Sequence, residues 1–309
     1  MITYYKNTEN GLAVLTEPVD NCWINVIDPA PEEQAKLVAM GIPHDYIIYP
    51  LDVDERARTE RENGELLIIL RIPHFMGKEA DIPYITVPMG IILTPKYIVT
   101  VCRQDNQIYQ DLITGRVRNL STAKRYRFVL RLLLATATMY LNNLREITKS
   151  VDALEDQLQL STRNKEVYGL LKYQKSLTYF TTALKSNELM VERLQRTRLF
   201  NQYPEDDDLL DDVITENQQA IEMTNITSNI LSGMMDAFAS IISNNLNTVM
   251  KFLASVTIIV NLPAVFSSFY GMNVNLPFMS HPSAFWIILS ISLIVTFGVG
   301  YVFARRDWM

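Results

Sequence analysis

The sequence predicts a membrane protein in which an α/β cytosolic domain leads into a long helical hairpin, followed by a stalk helix continuous with the first of two transmembrane helices. Three observations predict it. Asp, Glu, Lys and Arg are absent from Phe252 to Ala304, and this window holds two apolar segments, Phe252 to Phe269 and Ala284 to Phe303. Each is about as long as the ~20 residues that span a hydrocarbon core. The first 120 residues or so carry short runs rich in β-branched and aromatic residues, and the stretch after them is dominated by Leu, Lys, Arg, Glu, Gln and Thr.

Composition narrows the function. The net charge of −6 argues against a nucleic-acid partner. Two cysteines, Cys22 and Cys102, are too few for a disulfide framework and fit a reducing compartment. His44, His74 and His281 stand apart from one another and from cysteine, which disfavours a zinc cage of soft ligands. Lys6, Glu9 and Glu17 interrupt the N-terminus, so no secretory signal peptide is expected. Lys251 precedes the first span and Arg305-Arg306 follow the second, while the turn between them has no Lys or Arg. Both termini are therefore expected in the cytoplasm, with the turn facing outward from the cell (inner) membrane.

Residues 1–120 form the expected α/β domain. Strands are predicted at Leu12 to Thr16, Trp23 to Ile27, Leu66 to Ile72, Ile85 to Leu93 and Tyr97 to Val101, each bounded by Pro, Gly or Asn. A helix is predicted from Pro31 to Val38, with proline at its start and Gly41 after its end. Neither GxxxxGK[ST] nor GxGxxG occurs, so no nucleotide cofactor and no nucleotide hydrolysis are expected.

Residues 121–203 read as an antiparallel helical hairpin. Leu130, Leu133, Leu134, Ala137, Leu141 and Leu144 recur at helical spacing, and Ser161-Thr162-Arg163-Asn164 divides the region in two. The economical reading is a spacer without chemistry. Tyr203-Pro204 stops the second helix, and Glu205, Asp206, Asp207, Asp208, Asp211 and Asp212 open the next. Acids in a first turn stabilise exposed N–H groups and the positive dipole end. The same oxygens could instead hold a hard cation such as Mg²⁺.

From Leu209 to Phe269 only Gly233 and Pro263 interrupt a helix of about sixty residues, or roughly 90 Å at 1.5 Å per residue. About 30 Å of this can lie in hydrocarbon. The expected division is a stalk over 204–250, a first span at 251–269, an outer loop at 270–283, a second span at 284–304 and a short basic tail ending at 309. Proline within the membrane is tolerated as a kink.

One face of this helix is polar or small throughout. Asp236, Ser240, Ser243, Asn247, Met250, Ala254, Thr257, Asn261, Ala264 and Ser268 fall within an arc of roughly 120° at 100° per residue. An amide such as Asn261, near mid-membrane, is normally turned toward a partner or a water-filled cavity. The stripe therefore lines a pore or glues helices together. Two spans cannot enclose a pore, so a pore needs copies of the chain around an axis. Met250 and Leu253 would then form apolar rings able to gate by dewetting. At the outer end, Gly271-Met272-Asn273 offers a sharp turn and one neutral oxygen acceptor per chain, which suits a cation that keeps its water, as Mg²⁺ does.

Tyr270-Gly271-Met272-Asn273, with Pro263 and Asn247-Thr248-Val249-Met250-Lys251 before it, resembles the CorA family of divalent-cation channels, and Trp23-Ile24-Asn25 resembles a motif of that family's cytosolic domain. The resemblance implies a funnel-shaped homopentamer that conducts Mg²⁺ and also Co²⁺ or Ni²⁺ and is not an enzyme. It implies a filter at Gly271, Met272 and Asn273, with the hydrated ion at Asn273, and pore-lining positions at Asn247, Met250 and Leu253 with Asp236 lower in the stalk. It further implies closure by intracellular divalent ions bound between subunits, with Asp212 as the stalk acid and Asp52 or Asp54 as its counterpart.

The chain departs from the family pattern in four places. The outer turn after Asn273 has no carboxylate, the family's acidic partner in the N-terminal domain has no clean counterpart in Ile48-Tyr49-Pro50-Leu51-Asp52, Asn261 stands where an apolar pore residue is common, and the C-terminal basic cluster is reduced to Arg305-Arg306. Two competing readings are a Zn²⁺ or Co²⁺ transporter of the same fold, perhaps proton-coupled, and a non-conducting membrane scaffold or Mg²⁺ sensor. The lack of His and Cys along the stripe disfavours the first; flux separates the second.

Overall fold

The computed structural model describes residues 1–8, 11–160, 164–197, 199–200, 203–274, 276–278, 281–306 and 308. Its contacts divide the chain into two units, Met1–Met234 and Met235–Met309.

The first unit is built on a seven-stranded sheet. In chain order the strands are β1 (Ile2–Thr8), β2 (Gly11–Leu15), β3 (Cys22–Ile27), β4 (Arg58–Glu62), β5 (Glu65–Phe75), β6 (Tyr84–Leu93) and β7 (Tyr97–Cys102). They lie in the order β2-β1-β3-β7-β6-β5-β4. Only β3 and β7 run parallel, joined by a connection that contains β4, β5 and β6. The five predicted strands are all present. The two that the pattern misses are β1, with few apolar residues, and β4, whose Arg58-Thr59-Glu60-Arg61-Glu62 is charged because it is a sheet edge.

The near-continuous apolar runs of the central strands follow from burial on both faces. Along β5, Leu66, Ile68, Leu70 and Ile72 face one core, while Leu67 and Ile69 face the other. The first core is closed by helices α3 (Gln107–Ile113), α4 (Arg125–Leu160), α5 (Asn164–Arg196) and the start of α6 (Pro204–Tyr270), through residues such as Phe128, Leu132, Met190 and Leu210. The second is closed by α1 (Pro31–Ala39) and α2 (His44–Ile48), through Leu37, Tyr46 and Ile47. The sheet is the middle of three layers.

Trp23-Ile24-Asn25 sits at the centre of this arrangement. Trp23 stacks on Tyr5 with ring centroids 4.9 Å apart and meets Phe128 at 5.5 Å. Its indole N–H donates to Thr100 Oγ1 at 2.8 Å, and the Thr100 hydroxyl donates to Asn25 Oδ1 at 3.1 Å. A buried polar chain is thus satisfied along adjacent strands, which makes the motif a device for holding β3 against β7.

The helical hairpin has arms at α4 and α5, and Asn164 opens the second arm. The predicted break residues Ser161, Thr162 and Arg163 lie outside the described residues. α5 also completes the sheet. β4 pairs β5 only as far as Ile69, and at Arg71 the buried Asn187 takes over. Its Oδ1 accepts the Arg71 N–H at 2.9 Å, and its Nδ2 donates to the Arg71 carbonyl at 2.8 Å. The Arg71 carbonyl also accepts from the Tyr140 hydroxyl of α4 at 2.9 Å, so side chains from both arms of the hairpin satisfy the strand here.

Candidate functional site

The helix that carries the predicted site is α6, 67 residues from Pro204 to Tyr270 with Pro263 inside it. It is about 100 Å long at 1.5 Å per residue. An apolar window near its C-terminal end and the whole of α7 (Ala284–Arg305) are each long and apolar enough to cross a membrane, with mean hydropathies of 1.9 and 2.3.

In the second unit α7 packs on one face of α6. Ser255 is fully buried, and its hydroxyl donates to the Lys251 carbonyl at 2.8 Å and lies 3.4 Å from the carbonyl of Trp308. Trp308 folds back to stack on Phe303, with ring centroids 5.4 Å apart. Farther along, Gly300 sits beside Ile259, where an added Cβ would lie 3.7 Å from Ile259 Cδ1. Ser255, Val256, Ile259, Leu262, Pro263, Phe266 and Tyr270, the less exposed positions of this stretch, repeat at helical spacing and mark the covered face.

Every predicted stripe position lies on the other side. Asp236, Ser240, Ser243, Asn247, Met250, Leu253, Ala254, Thr257, Asn261, Ala264 and Ser268 are all exposed. Met250 and Leu253 are each 57% exposed, a large apolar surface for two adjacent turns. Ser240, Ser243 and Asn247 line one shallow concavity with Ile241 and Asn244. The Thr257 hydroxyl donates to the Leu253 carbonyl at 2.7 Å, so its oxygen lone pairs remain directed away from the backbone bond. The stripe and the α7 contact occupy opposite sides of α6.

The helix ends where the Gly-Met-Asn motif begins. The Gly271 N–H donates to the Ser267 carbonyl at 3.0 Å and the Met272 N–H to the Phe269 carbonyl at 3.2 Å, a tightened last turn. Gly271, Met272 and Asn273 are exposed. The Tyr270 hydroxyl donates to the Pro277 carbonyl at 3.0 Å and so braces the turn that follows. Asn275, Met279 and Ser280 of the outer loop lie outside the described residues.

The acidic opening of α6 divides into two kinds of residue. Asp206 is buried, and its Oδ1 accepts from Arg127 Nε of α4 at 2.6 Å, while Glu205 Oε2 lies 2.8 Å from Arg127 Nη2. These two are structural ties between helices. Asp207, Asp208, Asp211 and Asp212 are exposed. Among the described residues, no group of three or more His, Cys, Asp or Glu could hold a metal ion within one chain.

Asp52 is also exposed, and its carboxylate accepts the Asp54 N–H at 3.1 Å. Asp54 borders a cavity of about 910 Å³ that Arg56, Arg71, Lys185 and Arg193 also line. The cationic residues there outnumber the carboxylate. Sequence reasoning did not identify Ser255, Trp308 or Arg127. The hydroxyl of Ser255 looks like one more small polar residue until the position of α7 is known, and nothing near Arg127 marks Asp206 as its partner.

Comparison with known proteins agrees with this architecture. The family described as CorA-like Mg²⁺ transporter protein matches residues 19–305. The cobalt/magnesium transport protein CorA of Methanocaldococcus jannaschii is 29% identical over 302 residues, which is 93% of this chain and 91% of that protein. The complete structure of the CorA magnesium transporter from that organism superposes with a TM-score of 0.86 at 25% identity, covering 100% of this chain and 99% of the other. The full-length CmaX protein shares the fold, with a TM-score of 0.72 at 18% identity over 100% of this chain and 98% of its own. A polar-striped helix ending in Gly-Met-Asn, backed by a second span and joined to a three-layer α/β unit, occurs here in a chain that belongs to the CorA-like Mg²⁺ transporter family.

Proposed function

We propose that the protein is a Mg²⁺ uptake channel, formed by several copies of the chain and driven by the membrane potential. The observation that carries the reading is the sidedness of α6. Its α7 contact uses the face of Ser255 and Ile259, while Asn247, Met250, Thr257 and Asn261 are exposed on the opposite face. Copies arranged around an axis would bring those stripes together, with α7 toward lipid. The family suggests five copies and a funnel, with both termini in the cytoplasm.

In this reading the hydrated ion meets a ring of Asn273 side-chain oxygens at the outer mouth, held by Gly271 and Met272, and passes Asn261 and Thr257 to apolar rings of Leu253 and Met250. Ser243, Asn247 and Asp236 then lead it to the cytosol. A potential of 100 mV supplies about 2.3 kcal/mol per unit charge and roughly twice that for a divalent ion, so no nucleotide is needed. Co²⁺ and Ni²⁺ are further candidate cargoes. Closure would come from cytosolic Mg²⁺ between subunits, with Asp212 and an acid of the β3–β4 connection such as Asp52 as ligands. Both carboxylates are exposed and thus available to a neighbouring copy.

The test is Mg²⁺ entry into proteoliposomes loaded with a Mg²⁺-sensitive dye under an inside-negative potential. The native chain should conduct, and Asn273→Ala at matched incorporation should lose most of the flux. No flux from an assembled native protein would transfer the assignment to a membrane scaffold or Mg²⁺ sensor, and equal flux in both would remove Asn273 from the filter.

A further inference from the structure

A cavity of about 370 Å³, with apolar and charged residues in its lining, lies in the first unit between α3, the segment after it and α4. Arg116, Arg118 and Arg131 line it together with one carboxylate, Asp111, and the amide side chains of Asn142 and Asn143. Asp111 is already engaged. Its Oδ1 accepts from Arg116 Nη1 at 3.0 Å and from Gln107 Nε2 at 3.0 Å. Arg118 and Arg131 have no carboxylate within ion-pair distance among the described residues.

A second observation concerns the donors. Arg131 Nε and Asn143 Nδ2 are shielded from bulk solvent, and neither finds a hydrogen-bond acceptor among the described residues. A buried donor left without an acceptor costs roughly 1–3 kcal/mol, more when it is charged. Arg131 and Asn143 stand about three turns apart on α4, so each needs an acceptor of its own, and the charged Arg131 is the costlier of the two to leave without one. Either side chain can turn toward an acceptor without breaking a bond within the chain. Neutral acceptors would satisfy the donors but leave the positive charge uncompensated.

We propose that this cavity binds a phosphate group, either free phosphate or the head of a small phosphate ester. Planar guanidinium forks match tetrahedral oxyanions with paired N–H donors, and arginine is the residue suited to that geometry. Arg118 and Arg131 supply the charge, and the Arg116–Asp111 pair fixes one wall. The volume admits a compact ligand near the small end of ordinary ligand sites. The absence of a glycine-rich phosphate loop does not bear on this site, because its donors are side chains brought together by α3 and α4 rather than consecutive backbone N–H groups. The site stands whether or not the chain conducts Mg²⁺.

The experiment is titration calorimetry on the full-length protein in detergent, at fixed ionic strength, with inorganic phosphate in one series and glycerol 3-phosphate in another. Saturable binding is expected, with affinity falling on the order of tenfold or more in Arg118→Gln, since a charge-assisted hydrogen bond is worth about 1.5–3 kcal/mol. Arg118 is exposed, so this variant should fold normally. Arg131→Lys should also bind more weakly, because it keeps the charge but loses the fork. Tighter binding of the ester assigns the site to a phosphate ester, and tighter binding of inorganic phosphate assigns it to the free ion. No saturable binding of either at millimolar concentration, or undiminished binding in Arg118→Gln and Arg131→Lys, would overturn the proposal.

Discussion

Arg127 of α4 and Asp206 of α6 form a salt bridge at 2.6 Å, with side-chain exposures of 12% and 2%. The pair ties the first turn of the longest helix to the hairpin and removes one acid from the run that sequence alone offers as a cation site. A carboxylate buried this deeply is stable only while its partner is present. Arg127→Ala should therefore destabilise the first unit by about 3 kcal/mol, and Asp206→Ala by a similar amount. The double variant should be less destabilised than the sum of the two. Asp207→Ala, on an exposed residue two steps from the bridge's neighbour Glu205, should have little effect. Thermal unfolding of the four variants would check this.

Gly90 lies in the middle of β6, paired with Ile69 on one side and Val101 on the other. Its missing side chain makes room for the ring of Pro50 in the short 3-10 turn Tyr49–Leu51, and a Cβ built at residue 90 would run into that ring. The neighbouring strands fix the backbone at Gly90, and Pro50 is buried, so neither side can give way easily. Gly90→Ala should cost about 3 kcal/mol or more through overpacking, against near-neutral behaviour for alanine at Gly233, where nothing approaches. A fall in Tm for Gly90→Ala alone would bear this out; equal Tm values would contradict it.

These two sites lie where the sequence was not legible. The central strands, the first helix, the hairpin arms and both spans announce themselves because their apolar residues repeat at the period of the element or fill it. The stripe from Asp236 to Ser268 is legible for the same reason, since helical spacing fixes which side chains share a face before any tertiary contact is known. Arg127 and Asp206, 79 positions apart in sequence, obey no such period. Pro50 against Gly90 and Asn187 at the open edge of Arg71 are likewise products of tertiary placement. The charged strand β4 was missed because an edge strand needs polar residues, which is the opposite of the signal used to find the others.

Cys102 is fully buried at the end of β7, and burial pushes its thiol pKa up to about 11. An unfolded cysteine titrates near 8.5. Its raised pKa in the fold means that the neutral thiol is favoured there, so its contribution to stability is fully present below about pH 8.5 and is lost as the pH rises toward 11. Alkylation by a maleimide at pH 8 should be slow in the native protein and fast after denaturation. Cys102→Ala should flatten part of the alkaline loss of stability. Native labelling of Cys102 as rapid as that of the unfolded chain would show that the β7 end opens freely.

The exposed pair Met250 and Leu253 provides the last test, because it distinguishes a gate from a packing seam. If the α6 stripes line a pore, these side chains narrow it with apolar rings, and a polar replacement lowers the cost of wetting the constriction. Leu253→Asn should then raise Mg²⁺ flux at high internal Mg²⁺, the condition under which the proposed closure would hold the native channel shut. An increase on the order of tenfold would correspond to about 1.4 kcal/mol off the barrier. If the stripe were instead a helix-packing surface, the same substitution would weaken assembly and lower flux. Dye-based flux with size-exclusion measurement of the assembled species separates the two outcomes, and Leu253→Ile, which keeps the ring apolar, should leave both flux and assembly near the native level.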